Sequence, residues 1–547
     1  MSSSTMGVQE TAPKKRTRVS HTKVRTGCRT CRIRHKKCDE TRPICRMCSS
    51  TGRICDGYQQ TIDRRTRASR LRLASTSPSS TSSSSSTVSV PSLVSDLILH
   101  TNEIDLTRQE RWYLDFFRRN TSFQCSGYFD DDFWLRLVHQ VTEAEPAVRH
   151  AAIALSALHC NFERTSTGQG AIDSRLPLQQ CVKAISSLRH QLAGGGVLSR
   201  SNMQITLVTC VLFVSFMFLQ GDTHSAYCHL RGGLKLLKEW RTTDMPGYST
   251  TGSVLMKVFA HLQLQWSTFA DEVFIEEVDS NRFDVPYMEI NDLSLEEPTD
   301  SLEKAGSLLV SLGRLVLTPR PSGTSSPGYC TVLDSRRMAI LNKLQHWTTE
   351  LDNSMTCAGN TLILRDNTIL TVLKLWSEII YIMAATETRL GGSETRFDAF
   401  HLNFGRAVAL AKILLLSTPA QSTMPNFSIG MGIIPPLFFC AFKCRDWYIR
   451  REALQLLRSC QRQEGLWTTP GAVLVLERLI NIESKGLMPG DLVPESRRVD
   501  SIHVNILPDD HKIGLWYRRS GMGVGLDGYV DVGSGMWEKA LLEYHVG

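Results

Sequence analysis

The sequence predicts a mainly α-helical chain in three parts: a small six-cysteine module, a serine-rich linker and a large all-helical domain. Three observations predict it. Six of the sixteen cysteines fall within residues 25–58. A tract from Ser75 to Ser92 is almost pure Ser and Thr. From about Leu93 to Leu487, apolar residues recur at helical spacing, with no run of alternating strands and no βαβ rhythm.

Composition bounds the function. At 547 residues with 42% hydrophobic content, most of the chain has the material for a core. The net charge of +8 is unevenly placed. Residues 1–72 carry nineteen Lys and Arg against five acids (Glu10, Asp39, Glu40, Asp56, Asp63), a net +14 that leaves −6 for the remainder. A basic head on a mildly acidic body suits a polyanionic partner. Residues 1–18 have no apolar core and do not read as a secretory signal. The most apolar stretch, Ile205 to Leu219, is fifteen residues long and broken by Thr209 and Ser215. That is short of the about 18 a membrane span needs, so a buried core helix is expected. A reducing compartment follows, where clustered cysteines mean metal rather than disulfides.

Taken in order, residues 1–24 are expected to be a disordered basic arm. Within it Lys14, Lys15, Arg16 and Arg18 fit a short nuclear-import signal. Residues 25–58 form the cysteine module. Residues 59–92 are a linker, with a basic run from Arg64 to Arg72 before the Ser/Thr tract; it cannot bury enough surface to offset its ordering entropy. Residues 93–490 are the helical domain. Pro146 after Glu145 suits a helix start, and Val148, Ala151, Ala152, Leu155 and Leu158 follow as an inner stripe. Ile369, Val372, Leu373, Trp376, Ile379, Ile380 and Met383 draw a second stripe. Leu437, Phe438, Ala441, Cys444 and Trp447 draw a third, and Pro470 opens a helix through Ile480. Residues 491–547 are expected to be an irregular tail that packs back on the domain, with short strands between Val499 and Tyr517.

Chemistry concentrates in the cysteines. Cys28, Cys31, Cys38, Cys45, Cys48 and Cys55 are spaced C-x2-C-x6-C twice over. A C-x2-C pair clasps one metal from a single turn, and zinc takes four thiolates in a tetrahedron. Two tetrahedra need eight ligands, so six sulfurs hold two Zn²⁺ only if two of them bridge. The repeat favours one bridge from each half. Six thiolates and two Zn²⁺ sum to −2, which nearby Arg and Lys offset. The halves differ. Between Cys28 and Cys38 stand Arg29, Arg32, Arg34, Lys36, Lys37 and His35 with no acid, whereas Cys45 to Cys55 encloses only Arg46 and Arg53. The first half, with Arg32, Arg34, His35, Lys36 and Lys37, is therefore the one expected to meet a polyanion.

The run Cys28–Asp39, with Pro43–Cys48 and Cys55–Tyr58, resembles the fungal Zn₂Cys₆ binuclear-cluster transcription regulators. The resemblance implies bridging by Cys28 and Cys45, a cis peptide before Pro43, and a short helix whose C-terminal end reads a CGG triplet in the major groove. Arg34 and His35 match the reading positions, and Lys36 and Lys37 suit phosphates. The commonest pattern has Lys where His35 stands, so base specificity follows less directly than metal binding. Arg and Lys suit guanine O6/N7, and the remaining charge makes affinity salt-dependent. Cys228–Leu237 and Glu145–His159 resemble parts of the regulatory region in filamentous-fungal members, though helix packing alone accounts for the individual residues.

The expected function is a nuclear, sequence-specific RNA polymerase II regulator, by family analogy of secondary-metabolite gene clusters. Its expected partners are double-stranded DNA, the transcription machinery, a second copy of the chain and a small-molecule effector, with no membrane. The alternative is a metabolite- or partner-binding module whose cluster serves mainly as an interaction surface. Leu93, Val94, Leu97 and Ile98 are too few for a sustained coiled coil. Gly523–Gly528 matches G-x-G-x-x-G, but only nineteen residues follow, so a dinucleotide site is rejected in favour of a loop. Gly194–Gly196 reads as a helix-joining loop, and Cys440 with Cys444 as core packing. No catalytic constellation can be assembled, and the protein is not expected to be an enzyme.

Overall fold

The computed structural model divides the chain into two compact units, residues 1–91 and 92–547. It describes residues 28, 30–31, 34, 36–41, 45–51 and 55 of the first unit. In the second it describes 106–129, 132–170, 172, 174–193, 199–243, 250–270, 306, 309–313, 316, 338–339, 341–349, 364–386, 393–417, 426–507, 512–520 and 537–543. The basic arm, the linker, Leu93–Ile98, Gly194–Gly196 and Gly523–Gly528 lie outside the described residues.

The first unit contains a short helix, α1 (Arg46–Ser49). The second is mainly helical. It opens with α2 (Arg108–Phe116), which starts on a capping box: Thr107 accepts from the Glu110 backbone N–H, and the Glu110 carboxylate accepts from the Thr107 N–H. Then come α3 (Ser122–Ser126), α4 (Val138–Ala144), α5 (Pro146–Ser166), α6 (Leu176–Leu192), α7 (Arg200–Gln220), α8 (Thr223–Thr243) and α9 (Thr250–Ala270). Helices α10 (Leu364–Thr386) and α11 (His401–Ser417) follow. The expected start at Pro146 is observed, and Val148, Ala151, Ala152 and Leu155 are buried. The second stripe faces the core of α10, with Met383 half-buried.

Helix α7 is buried on every face from Leu207 to Phe216, as a core helix should be. It is longer than its apolar run suggested. With α10 and the segment Glu394–Ser417, it is one of three described helices long and apolar enough to cross a membrane by length and composition. The polar ends Arg200–Gln204 and Gln220, which a count of apolar residues omits, carry the extra turns.

Between the later helices lies a small sheet that the sequence did not reveal. Strand β1 (Asn426–Ser428) pairs in parallel with β2 (Arg462–Glu464), which pairs antiparallel with β3 (Trp467–Thr468). Strands of two or three residues are too short for alternation to register. The third stripe is also not one helix. It splits into α12 (Ile434–Lys443) and α13 (Trp447–Arg458), because Asp446 accepts from the Tyr448 and Ile449 N–H groups and starts a new helix. Cys440 and Cys444 are buried, as expected of core residues. Buried Glu464 of β2 accepts from the N–H groups of Ile433 (3.0 Å) and Ile434 (2.7 Å), capping α12. A Cβ on Gly432 would lie 2.1 Å from that carboxylate, so only glycine fits.

Helix α14 (Thr469–Ser484) begins on Thr468, whose hydroxyl accepts from Gly471, with Pro470 in its first turn. Residues beyond it are not an irregular tail. Strands β4 (Val499–Leu507), β5 (Lys512–Arg519) and β6 (Glu538–Glu543) form an antiparallel sheet in that order. Val499, Ile502, Val504, Ile513, Leu515, Tyr517 and Ala540 join the main hydrophobic core, so the segment packs back as a sheet.

A buried ionic staple holds that sheet to the helices. Arg445, between α12 and α13, lies 3.1 Å from Glu394 and 2.8 Å from Glu483 of α14 and donates to the Val499 carbonyl. Lys443 pairs with Glu394 and donates to the Asp500 carbonyl. The Val499 N–H donates to Glu483 at 2.7 Å. Burial works against charge on Glu483, but Arg445 and Arg450 outweigh it and hold its pKa down at about 2. The same contest raises the Arg445 pKa: burial lowers it, and Glu483 and Glu394 overcome that.

The segment Cys228–Leu237 lies on α8 and explains itself by packing. Leu230, Leu234 and Leu237 face inward beside Gly233. A Cβ on Gly233 would stand 2.5 Å from Phe259 Cε1 and 2.7 Å from Cys210 Sγ, so this glycine lets α8 approach α7 and α9. Gly233→Ala is expected to cost about 1–3 kcal/mol by overpacking. Urea unfolding of the variant should show that loss, and an unchanged midpoint would contradict this account.

Candidate metal centre and DNA interface

Among the described residues of the first unit, the buried side chains are its cysteines. Cys28, Cys31, Cys45 and Cys48 are fully buried, and Cys38 and Cys55 pack beside them half-buried. The Cys28–Cys45 Sγ separation is 3.6 Å, Cys31–Cys45 3.7 Å, and Cys28–Cys48 and Cys31–Cys48 are each 3.8 Å. A tetrahedron with metal–sulfur bonds of about 2.3 Å has edges of about 3.8 Å. The four sulfurs therefore stand at the spacing of a zinc tetrahedron. A second group capable of holding a metal joins Cys38 and Asp39 to Cys45, so Cys45 belongs to both.

Backbone N–H groups are already aimed at the sulfurs. Cys31 N donates to Cys28 Sγ, and Cys28 N and Glu40 N donate to Cys38 Sγ, each at 3.4 Å. Burial pushes the thiols of Cys28, Cys31, Cys45 and Cys48 above their ordinary value. A divalent cation reverses that preference by supplying the charge that holds a thiolate.

Asp39 ties the two halves together, a role with no motif to mark it. Its carboxylate accepts from the N–H groups of Arg46 (3.1 Å) and Met47 (3.2 Å), the first turn of α1. Cys45, at the N-cap position, makes no side-chain cap of its own, since its sulfur points into the cluster. The carboxylate next to Cys38 thus sets the orientation of the helix carrying Cys48. Those hydrogen bonds, that of Thr41 foremost, hold Asp39 well below the ordinary carboxylate range.

Of the expected DNA contacts, Arg34, Lys36 and Lys37 are described. Lys36 and Lys37 are exposed. Arg34 is half-buried and donates from Nη1 to Thr51 Oγ1 at 3.4 Å, reaching across to the second half. Arg32, His35, Pro43 and the import residues Lys14, Lys15, Arg16 and Arg18 lie outside the described residues. In the second unit, the stretch Glu145–His159 has structural roles. Arg149 donates to the carbonyls of Thr142 and Glu143, closing α4. His150 bonds Gln180, and buried His159 bonds Thr121 and Gln124. Burial lowers the His159 pKa to about 3, so this imidazole is neutral.

Comparison with known proteins agrees with this arrangement. The family model described as "Fungal Zn(2)-Cys(6) binuclear cluster domain" matches residues 26–65. That described as "Fungal specific transcription factor domain" matches residues 113–479. An aspercryptin biosynthesis cluster-specific transcription regulator of Emericella nidulans is 25% identical over 81% of this chain and 84% of its own length. A transcription regulator of Purpureocillium lilacinum is 27% identical over 38% of this chain and 48% of its own. The transcriptional regulatory protein pro1 of Neurospora crassa is 51% identical over 45 residues, 8% of this chain and 6% of its own length. No solved structure matches the chain.

Proposed function

The chain belongs to the fungal Zn(2)-Cys(6) transcription regulators, and from that premise we propose that it reads CGG-type half-sites as a sequence-specific RNA polymerase II regulator in the nucleus. The family is one of transcription regulators, not enzymes, and its cluster holds two zinc ions and docks on DNA. Here all six cysteines are the ligands, with Cys28 and Cys45 as the bridges. Their Sγ atoms stand 3.6 Å apart, close enough to share a metal, which supports that assignment. Zinc supplies the charge and the cross-link that hold the module in shape.

The observation that carries the DNA reading is the unequal charge of the halves on one rigid cluster. Exposed Lys36 and Lys37 suit phosphates, while Arg34 and His35 read the guanine edge. Arg34 exchanges its long bond to Thr51 for the stronger bidentate guanine contact. Lys14, Lys15, Arg16 and Arg18 direct import, and Arg32 supports the docked backbone. The Emericella nidulans relative is named for one biosynthesis cluster, and control of such a gene cluster is the reading we extend to this chain.

Full-length protein with zinc should prefer CGG-containing duplex to scrambled duplex. Arg34→Ala should cost roughly 1–3 kcal/mol of that preference with zinc retained. Lys36→Ala and Lys37→Ala should each weaken binding to both duplexes and lower the salt slope by about 1. Fluorescence anisotropy across a salt series reads both effects. Equal binding to the two duplexes would instead favour the interaction-surface alternative.

A further inference from the structure

We infer that the outer face of α11 is a self-complementary surface that pairs two copies of this chain, antiparallel, about a two-fold axis at Ala409. Helix α11 is apolar on both sides. Its inner side, with Phe404, Ala407, Val408, Ala411 and Leu414, is buried. Its outer side is not. Leu402 is 64% exposed, Ile413 51% and Leu416 77%, and Ala409 is exposed between them. At 3.6 residues per turn these four positions fall within an arc of about 60°, on a ridge about 21 Å long. Of the three described helices apolar enough to cross a membrane, the segment Glu394–Ser417 has 28% of its apolar window buried, against 72% for α7. The fold therefore leaves most of this apolar surface unused.

The order of residues along the ridge points to the partner. Leu402 and Leu416 stand seven residues either side of Ala409. In an antiparallel pair centred on Ala409, Leu402 meets the partner's Leu416, and Leu416 meets the partner's Leu402. Gly405 comes level with the partner's Ile413, so a missing side chain receives a large one, and alanine at the axis lets the helices close up. A face that matches its own reverse fits a second copy of itself.

Charge agrees with this arrangement. Helix α11 carries no Asp or Glu, and its Arg and Lys are Arg406 and Lys412. Arg406 lies 2.7 Å from Glu378 of α10, and Lys412 lies 2.8 Å from Glu452 of α13. Like flanks adjoin in a two-fold pair, and each flank brings an ion pair rather than a bare cation, so repulsion does not oppose contact. A bilayer surface fits less well, because the cations that would hold anionic headgroups are engaged by Glu378 and Glu452. A single helix pair of this length is at the low end of specific interfaces, so the dimer is reversible, with a dissociation constant on the order of micromolar.

The test is sedimentation velocity of the full chain with zinc and without DNA, which keeps it apart from the reading of the zinc cluster. Between about 1 and 50 µM the chain should show a monomer–dimer equilibrium. Leu402→Lys and Leu416→Glu, both at exposed positions, should each weaken it at least ~10-fold, because each substitution enters the interface twice. Combined in one chain, they set opposite charges across the axis and should restore most of the lost affinity. Val182→Lys, on the separate exposed apolar face of α6, should change nothing. A chain that stays monomeric throughout the range would overturn the proposal, whether it floats with phosphatidylserine vesicles or captures another protein instead. So would a dimer unmoved by Leu416→Glu, a dimer broken by Val182→Lys, or a double variant no better than the single ones.

Discussion

Cys45→Ala should abolish CGG-specific binding, with a loss of affinity beyond ~100-fold, while the helical signal of the body stays nearly unchanged. Cys45 Sγ stands 3.6 Å from Cys28 and 3.7 Å from Cys31, and it belongs to both groups that can hold a metal. Removing it takes a ligand from each. Among the described residues of the first unit, the buried ones are the cysteines themselves. Metal binding and folding are then one event, as in other small zinc modules. The body has its own core, from Phe117 to Ala540. Anisotropy with CGG duplex, paired with far-UV circular dichroism, separates the two units. Cys440→Ala is the control: it removes a buried thiol from the body and should leave DNA binding intact. A Cys45→Ala protein that bound CGG duplex normally would rule out this account of the cluster.

Glu483→Ala should destabilise the body by roughly 3–5 kcal/mol, because it strips a carboxylate from two buried arginines. Arg445 and Arg450 each approach Glu483 to 2.8 Å, and Glu483 also accepts from the Val499 N–H. The loss should begin at the sheet, whose first strand hangs on this staple. The effect carries a pH signature. The Glu483 pKa falls from 4.5 to about 2 on folding, so its contribution is fully present above about 4.5. It is lost as pH falls through about 2, because the folded state then takes up the proton it had resisted. The stability gap between the parent and Glu483→Ala should therefore shrink as pH drops below 4.5. Denaturant melts across that range measure it, and a gap that stays constant with pH would argue against the ionic origin.

The two predictions rest on features of unequal legibility. The cysteine cluster was readable because its meaning lies in spacing: six positions and five gaps specify a shared metal without reference to anything else. The long helices were readable for a similar reason. Ile369 to Ile380 repeat on one face, and Pro146 marks a start. The ionic staple was not readable. Glu394, Arg445, Glu483 and Val499 are far apart in sequence, and each alone resembles a surface residue or an ordinary strand valine. Asp39 was hidden likewise: besides neighbouring Thr41, its carboxylate takes the Arg46 and Met47 N–H groups, seven and eight residues further on. The break between α12 and α13 carries no Gly or Pro, and what ends α12 is the burial of Arg445 together with the cap from Asp446. The C-terminal sheet was half readable. Val499 to Tyr517 suggested strands, but β6 follows a glycine-rich stretch that hid the return of the chain.

The central claim is that six cysteines hold two zinc ions on which DNA docking depends. The direct measurement is zinc released per chain, titrated with a thiol-reactive reagent while binding to CGG duplex is followed in the same sample. Two zinc ions per chain should be released, and specific DNA binding should disappear with them. Release of a single zinc ion, or CGG-specific binding that survives complete zinc removal, would contradict it.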